Sequence, residues 1–137
     1  MSDKFRQIKN KNSFVFKANL TSFYGPMILE LYERLSEMDY SLNKLDLTAL
    51  SSLVQGSSSD WGLILFDEDQ LMFLEGVSSE ADRDRIIVEL ARQIAKQWFG
   101  NMVTMTWWED SWLSEGIKDI FSYCVLTLLF IFIILWL

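Results

Sequence analysis

The sequence contains no histidine, the residue that most often binds a transition metal through a neutral nitrogen and most often acts as a general base near neutral pH. It contains one cysteine, Cys124, so neither an intrachain disulfide nor a metal site built from several cysteines can form within this chain. Cys124 lies in an apolar run, where a free cysteine behaves as a small hydrophobic residue. Chemistry that depends on histidine or on paired cysteines is therefore excluded.

Positive charge is also scarce, because 12 Lys and Arg residues face 19 Asp and Glu residues and leave a formal charge of −7. This balance argues against nucleic acid as a partner. Five of the basic residues gather at the start of the chain: Lys4, Arg6, Lys9, Lys11 and Lys17. We expect residues 1–19 to be a disordered basic segment, and we favour a solvated tail over one that touches anionic lipid.

Hydrophobic residues make up 50% of the chain, which predicts a packed core, a membrane segment or both. Residues 120–137 contain no charge. As a helix this run would be about 27 Å long, close to the ~30 Å of a bilayer core. We predict a single-pass transmembrane helix over residues 120–137. The alternative is a buried core helix, but a domain of this size has little interior in which to surround one.

The region between these two segments has mixed helical and strand patterns and is predicted to be α+β. Gly25-Pro26 indicates a helix start, and a helical apolar face follows at Ile28, Leu31, Leu35 and Met38. A Ser-rich run over residues 55–60 indicates a loop. The other predicted elements are strands over residues 45–49, 61–66 and 71–74, a helix over residues 85–99, and a last helix from Asp110 or Ser111.

The most specific stretch of the chain, residues 97–116, reads QWFGNMVTMTWWEDSWLSEG. It resembles the aminopeptidase N family of zinc metallopeptidases, whose members have H-E-x-x-H-Q-W-F-G-N, then V-T-M, then W-W-N-D-x-W-L-N-E-G. Residues 44–49 resemble the family's K-L-D-L-x-A strand, and residues 56–64 its G-A-M-E-N-W-G-L-I substrate strand. The resemblance implies that residues 20–119 are a fragment of a thermolysin-like catalytic domain, ahead of the transmembrane helix.

The same resemblance implies that the zinc site has been lost. In this register Arg92 and Lys96 occupy the positions of the two histidine ligands, and Gln93 occupies that of the general-base glutamate. Glu115 survives as the third ligand. One carboxylate cannot hold a catalytic zinc ion, which takes three protein ligands and a water molecule, so we expect no zinc cofactor. We hypothesise that Arg92 and Lys96 replace the metal as ion-pair partners of Glu115.

The substrate strand departs from the family pattern as well. Family members use the glutamate of G-A-M-E-N to hold the free amino group of the peptide. Gly56 matches the first glycine, Ser59 stands where that glutamate is expected, and Asp60 replaces the asparagine. The resemblance therefore implies that the amine anchor has been lost together with the metal.

Four tryptophans lie in or near the motif: Trp98, Trp107, Trp108 and Trp112. They suit either an aromatic ligand-binding box or a packed core. We predict the core, because tryptophan is usually highly buried.

These observations predict a membrane-anchored pseudopeptidase with a binding or regulatory role, whose partners are peptides or a full-length aminopeptidase relative. Two alternatives stay open. One is a residual zinc metalloaminopeptidase that acts in peptide proteolysis, and the other is a decayed fragment with no selected role.

Overall fold

The computed structural model describes residues 5–8, 19–50, 56–71, 73 and 76–136. Its strands and helices combine in one mixed fold, which confirms the α+β prediction. In chain order the elements are β1 (Phe5–Ile8), α1 (Asn19–Ser36), β2 (Leu45–Leu50), β3 (Ser57–Asp60), β4 (Leu63–Asp67), α2 (Glu68–Leu71), α3 (Glu80–Trp98), a 3₁₀ turn (Trp108–Asp110) and α4 (Ser111–Trp136).

The four strands form one sheet in the order β1-β2-β4-β3. β2 runs parallel to both β1 and β4, whereas β3 runs antiparallel to β4. β2 and β4 supply most of the buried sheet residues, including Leu45, Leu47, Ile64 and Phe66. The predicted strand over residues 45–49 is confirmed, with one further residue at its end.

The second predicted strand and the loop before it are corrected by the structure. Residues 57–60, which were predicted to be part of a loop, form edge strand β3, and the chain turns at Trp61-Gly62 before β4 begins. Gly62 has a φ of 81°, which favours glycine at this turn. The strand predicted over residues 71–74 is wrong at Leu71, which ends α2. Met72 and Leu74 lie outside the described residues.

The predicted disorder of residues 1–19 is wrong for Phe5–Ile8, which pair with β2 in parallel register. Backbone hydrogen bonds to a neighbouring strand can order a short segment whose composition does not predict a strand. Asn19 begins α1. The other residues of this segment lie outside the described residues.

Helix α1 begins earlier than its proline predicted, so Pro26 lies inside the helix and not at its first position. The buried face is also displaced from the predicted one. It contains Ile28, Leu29 and Tyr32, whereas Leu35 and Met38 are exposed. The aromatic ring of Tyr32 stacks on that of Trp98 at a centroid distance of 5.4 Å, which fixes α1 against α3.

Helix α3 is the central helix of the fold, and it begins five residues before the predicted start at Arg85. Ser79 caps it: its side chain accepts a hydrogen bond from the Asp82 N–H, and the Asp82 side chain accepts one from the Ser79 N–H. The cap explains why the acidic residues predicted to precede the helix lie within its first turns. Its apolar face, which includes Ile87, Leu90, Ile94 and Trp98, is buried.

Helix α4 continues without a break into the uncharged C-terminal run. Val125, Leu126 and Leu129 on one face are buried in the same core as α1 and α3. The rings of Phe121 and Phe99 lie 4.5 Å apart between their centroids. The opposite face exposes apolar side chains, among them Ile120, Tyr123, Ile131, Ile134 and Leu135. By length and composition alone, Trp108–Leu135 is the one segment within the described part of the chain that is suited to cross a membrane.

Candidate functional site

The residues at the predicted ligand positions lie on α3, on the side that packs against α4. Arg92 and Lys96 are one helical turn apart. Across from them, the first turns of α4 supply Glu115, Lys118 and Asp119. Glu89 of α3 lies in the same region. The packing of α4 on α3 thus brings three cations and three anions together at what we call the α3–α4 joint: Arg92, Lys96, Lys118, Glu89, Glu115 and Asp119.

The ion pairs at this joint differ from the predicted ones. Arg92 Nε lies 2.9 Å from Asp119 Oδ1, and its Nη1 lies 4.0 Å from Glu89 Oε2. Glu115 Oε1 is paired with Lys118 Nζ at 2.6 Å. Within the ranges that the structure describes, neither Arg92 nor Lys96 forms an ion pair with Glu115. The pKa of the Glu115 carboxyl is lowered first by the hydrogen bond from Lys118, and the charges of Lys96 and Arg92 lower it as well. The two predicted cations therefore act on Glu115 at longer range, whereas Lys118 is in direct contact with it.

Lys118 is the residue of this joint that the sequence analysis missed. Its side chain is only 9% exposed, whereas the Glu115 side chain is 57% exposed. Glu115 and Lys118 are separated by three positions on one helix, a spacing that favours an ion pair. That spacing is the signal that the sequence offered, but it does not indicate that the lysine is buried.

Lys96 is half-buried, and both its burial and the neighbouring charges affect the pKa of its ammonium group. Burial lowers the pKa of the Lys96 ammonium, and the Glu115 carboxylate opposes this effect, while the nearby Lys118 ammonium lowers the pKa further. Lys96 and Lys118 therefore lie close enough to repel each other electrostatically.

Gln93, at the predicted position of the general base, is buried in a small hydrogen-bond network. Its Nε2 donates to Ser57 Oγ over 2.8 Å and to Glu89 Oε1 over 2.7 Å. Ser57 Oγ donates to the same carboxylate oxygen over 2.6 Å. A carboxamide has no basic lone pair with which to accept a substrate proton, so this network joins β3 to α3 without supplying a general base.

Ser59, at the position of the predicted amine anchor, is directed toward α3. Its hydroxyl donates to the Gln93 carbonyl over 3.0 Å and accepts from Gln97 Nε2 over 2.8 Å. Gln97 Nε2 also donates to the Asp60 carbonyl over 2.9 Å. The structure thus places the Ser59 hydroxyl and the Asp60 carbonyl against α3, where they hold the edge strand to the helix.

Gly56 directly precedes β3, at the open end of the hairpin that β3 and β4 form. Its carbonyl accepts from the Asp67 N–H over 2.7 Å, and its φ is 77°. A Cβ at this position would lie 2.5 Å from Gln70 Nε2, so the glycine also permits a close side-chain approach. The residue has a structural reason to be glycine that is independent of any substrate.

The prediction that all four motif tryptophans belong to the core is correct only for Trp98, which is fully buried. Trp107, Trp108 and Trp112 are 71%, 85% and 71% exposed. They lie in the connection after α3 and in the first turn of α4, on the side over which no described element packs. The three rings do not enclose a box, because each is open to solvent.

The residues at this joint do not fit a zinc ion. Arg92 cannot lose its proton to become a ligand, and Lys96 and Lys118 are ammonium groups directed at the same region. Glu115, the carboxylate at the third predicted ligand position, is already paired with Lys118. Among the described residues, no three His, Cys, Asp or Glu side chains lie together in a way that could hold a metal ion.

Comparison with known proteins identifies the family. Residues 24–131 match the Peptidase family M1 domain. The chain is 34% identical over 119 residues to the glutamyl aminopeptidase of Bitis rhinoceros and 35% identical over 117 residues to that of Sus scrofa. These matches cover 87% and 85% of this chain but 12% of each relative.

A third relative is the endoplasmic reticulum aminopeptidase 2 of Homo sapiens, which is 38% identical over 108 residues, or 79% of this chain and 11% of the relative. The chain thus spans about an eighth of the length of the curated relatives that it matches. The resemblance to the aminopeptidase family, which rested on the motif over residues 97–116, is confirmed. This chain belongs to the peptidase M1 family of aminopeptidases.

Proposed function

We propose that this protein is a catalytically inactive member of its family, a membrane-anchored pseudopeptidase that binds peptides or a full-length aminopeptidase relative. In this proposal residues 20–119 are a piece of a thermolysin-like catalytic domain, and the uncharged run over residues 120–137 anchors it in the membrane. The family reaction, removal of N-terminal residues from peptides, is not carried out.

The presence of cations at the two predicted histidine positions supports inactivity most directly. Arg92 and Lys96 stand on the α3 face that packs against Glu115 of α4, and both carry positive charge where the family presents neutral nitrogen. Their charge repels a divalent cation, and neither group donates a lone pair at neutral pH. Without the ion there is no activated water molecule to attack a peptide bond.

The loss of the other two catalytic groups supports the same proposal. Gln93 cannot take a proton from water, and Ser59 presents a neutral hydroxyl where the family uses a carboxylate to hold an amine. Both side chains are also engaged within the fold, through the hydrogen bonds to Ser57, Glu89 and Gln97. Each loss alone is expected to lower the rate by orders of magnitude.

The decisive experiment is a measurement of zinc content and of aminopeptidase activity on the protein purified in detergent. We expect substoichiometric zinc and no hydrolysis of a fluorogenic aminoacyl substrate above a buffer control. Stoichiometric zinc together with turnover that a chelator abolishes would contradict the proposal and favour the residual metalloaminopeptidase. A full-length family member assayed in parallel is the positive control.

The apolar exposed face of α4 supports the membrane anchor, because Ile131, Ile134 and Leu135 would otherwise remain in water. Cys124 is the sole cysteine of the chain and is exposed on α4, which makes it a probe of this proposal. We expect a membrane-impermeant maleimide to label Cys124 in detergent but not in intact membranes.

A matched control moves the thiol to a site distant from the helix. Val77 is 81% exposed on the loop before α3. The Val77→Cys variant in a Cys124→Ser background should therefore react with the maleimide to the same extent in detergent and in permeabilised membranes. Equal labelling of Cys124 with and without detergent would show that α4 is not inserted.

The binding role is tested by co-expression with a full-length aminopeptidase relative and by purification through a tag on this chain. We expect the relative to co-purify and its activity to change on association. The absence of both association and peptide binding would favour a decayed fragment with no selected role.

A further inference from the structure

We propose that the ammonium group of Lys118 has taken the place of the metal ion at the joint between α3 and α4, where it neutralises Glu115 and excludes a divalent cation. The proposal rests on the proposed function, because it explains how the fold tolerates the loss of zinc. It differs from the sequence-based hypothesis in the residue that it names, since Lys118 lies on α4, outside the two altered ligand positions.

The burial of Lys118 is the first observation that supports this assignment. A lysine side chain that is 9% exposed has lost most of its hydration, and it keeps its charge only where a carboxylate or carbonyl oxygens replace the water. Glu115 Oε1 lies 2.6 Å from Lys118 Nζ and supplies that charge. The pair is therefore asymmetric: the cation is buried, and the anion reaches it from the surface.

The position of the ammonium group relative to α3 is the second observation. A Cβ built on Gly100, two residues after the end of α3, would lie 3.9 Å from Lys118 Nζ and 3.1 Å from the Lys96 carbonyl oxygen. The ammonium group therefore lies close to Gly100, in the turn that follows the C-terminal end of α3, a region where the helix dipole favours a positive charge. Lys118 thus packs against the end of α3 while it pairs with Glu115 of its own helix.

The charge balance of the joint is the third observation. Arg92, Lys96 and Lys118 contribute three positive charges, and Glu89, Glu115 and Asp119 contribute three negative charges. These six charges balance in the unaltered chain. In a variant with histidines at positions 92 and 96, Lys118 would be the one cation left at the joint, and it would still be paired with Glu115. Restoration of the histidines alone should therefore not restore tight metal binding, because Lys118 competes with the metal ion for this carboxylate.

The test compares two variants that both carry Arg92→His and Lys96→His, one with Lys118 intact and one with Lys118→Met. Methionine keeps an unbranched apolar stem of similar length but removes the charge. We expect the variant with Lys118→Met to bind Zn²⁺ roughly ten- to a hundredfold more tightly in isothermal titration calorimetry. Equal affinities in the two variants would overturn the proposal.

A matched control removes an equal charge from an exposed pair elsewhere. Lys44 is paired with Asp46 on the sheet, and its side chain is 61% exposed. Lys44→Met in the same two-histidine background should change the zinc affinity less than about twofold. A change as large as that produced by Lys118→Met would also overturn the proposal, because it would show that net charge alone controls affinity.

A second measurement needs neither histidines nor metal, and it applies even where Lys118→Met fails to fold. Glu115→Gln leaves the buried Lys118 charge without its carboxylate, so we expect the thermal midpoint to fall by roughly 3 °C or more. Glu109→Gln removes the same charge from an exposed position before α4 and should shift the midpoint by less than about 1 °C. Equal shifts would overturn the proposal.

These outcomes are separable from those of the proposed function. Zinc and turnover in the unaltered chain would contradict the proposed inactivity. The comparison of the two-histidine variants reports only whether Lys118 competes with a metal ion for Glu115.

Discussion

The side-chain oxygen of Gln97 accepts a hydrogen bond from the Gly62 N–H over 3.0 Å, and this contact fixes the end of α3 to the turn between β3 and β4. The same oxygen accepts from the Tyr40 hydroxyl over 3.1 Å. The Gln97 amide nitrogen donates to Ser59 Oγ and to the Asp60 carbonyl. Four polar groups from three segments therefore depend on one buried carboxamide.

Replacement of this carboxamide should destabilise the fold strongly. We expect Gln97→Leu to lower the free energy of unfolding by about 3 kcal/mol or more, because several partly buried polar groups lose their partner at once. Urea unfolding in detergent, followed by tryptophan fluorescence, measures this loss. Tyr40→Phe removes only one of the four contacts and should cost about 1 kcal/mol. Equal losses in the two variants would contradict the central position of Gln97.

The buried and exposed tryptophans of the motif should respond very differently to truncation. Trp98 is fully buried, and we expect Trp98→Ala to cost about 3–5 kcal/mol of stability. Trp108 is 85% exposed, so Trp108→Ala should change stability by less than about 0.5 kcal/mol. Thermal unfolding monitored by circular dichroism in detergent compares the two. A large loss of stability in Trp108→Ala would contradict this expectation and would show that another surface covers this side chain.

The ion pair between Arg92 and Asp119 should contribute little to stability despite its short distance. Both side chains are nearly half exposed, at 43% and 45%, so water and salt screen the attraction. We expect a double-mutant cycle with Arg92→Ala and Asp119→Ala to give a coupling energy of at most about 1 kcal/mol, smaller still at high salt. A coupling above about 2 kcal/mol that is insensitive to salt would contradict this expectation.

The cap of α3 should make stability depend on pH in the acid range. Hydrogen bonds from the Ser79 side chain and backbone hold the pKa of the Asp82 carboxyl below its usual value. A depressed pKa means that this carboxylate stabilises the fold above its unfolded pKa of about 4, and that the contribution is lost as the pH falls through the folded pKa.

The comparison of the parent chain with Asp82→Ala measures this contribution. We expect the difference in thermal midpoint to be largest near neutral pH and to shrink below about pH 4. A difference that stays constant to about pH 2 would assign the effect of the substitution to helix propensity and not to the carboxylate.

Local sequence patterns predicted those strands and helices whose apolar residues recur at a regular spacing. The alternation over residues 45–49 predicted β2, because those side chains lie alternately on the two faces of a sheet. The apolar periodicity after Arg85 predicted α3, and the uncharged run predicted a last helix. The start of α3 was missed because Ser79 and Asp82 form a reciprocal cap that the acidic composition alone did not distinguish from a preceding turn.

Pairing across the fold explains the elements that were missed. Residues 57–60 have low strand propensity. They form β3 because β4 supplies a hydrogen-bonded ladder and α3 accepts hydrogen bonds from the hydroxyls of Ser57 and Ser59. Pro26 lies inside α1 because the burial of Ile28, Leu29 and Tyr32 offsets the hydrogen bond that proline cannot donate.

The sequence by itself determined the family, because a motif of this density is specific without any coordinates. It also determined that the chain contains no histidine. Only the tertiary structure decided which charges meet. Arg92 pairs with Asp119 because the packing of α4 on α3 sets the distance between them, and the same packing buries the Lys118 side chain that pairs with Glu115. Ion pairs form between groups that packing brings within a few ångströms, and spacing along one helix does not predict how a second helix lies against it.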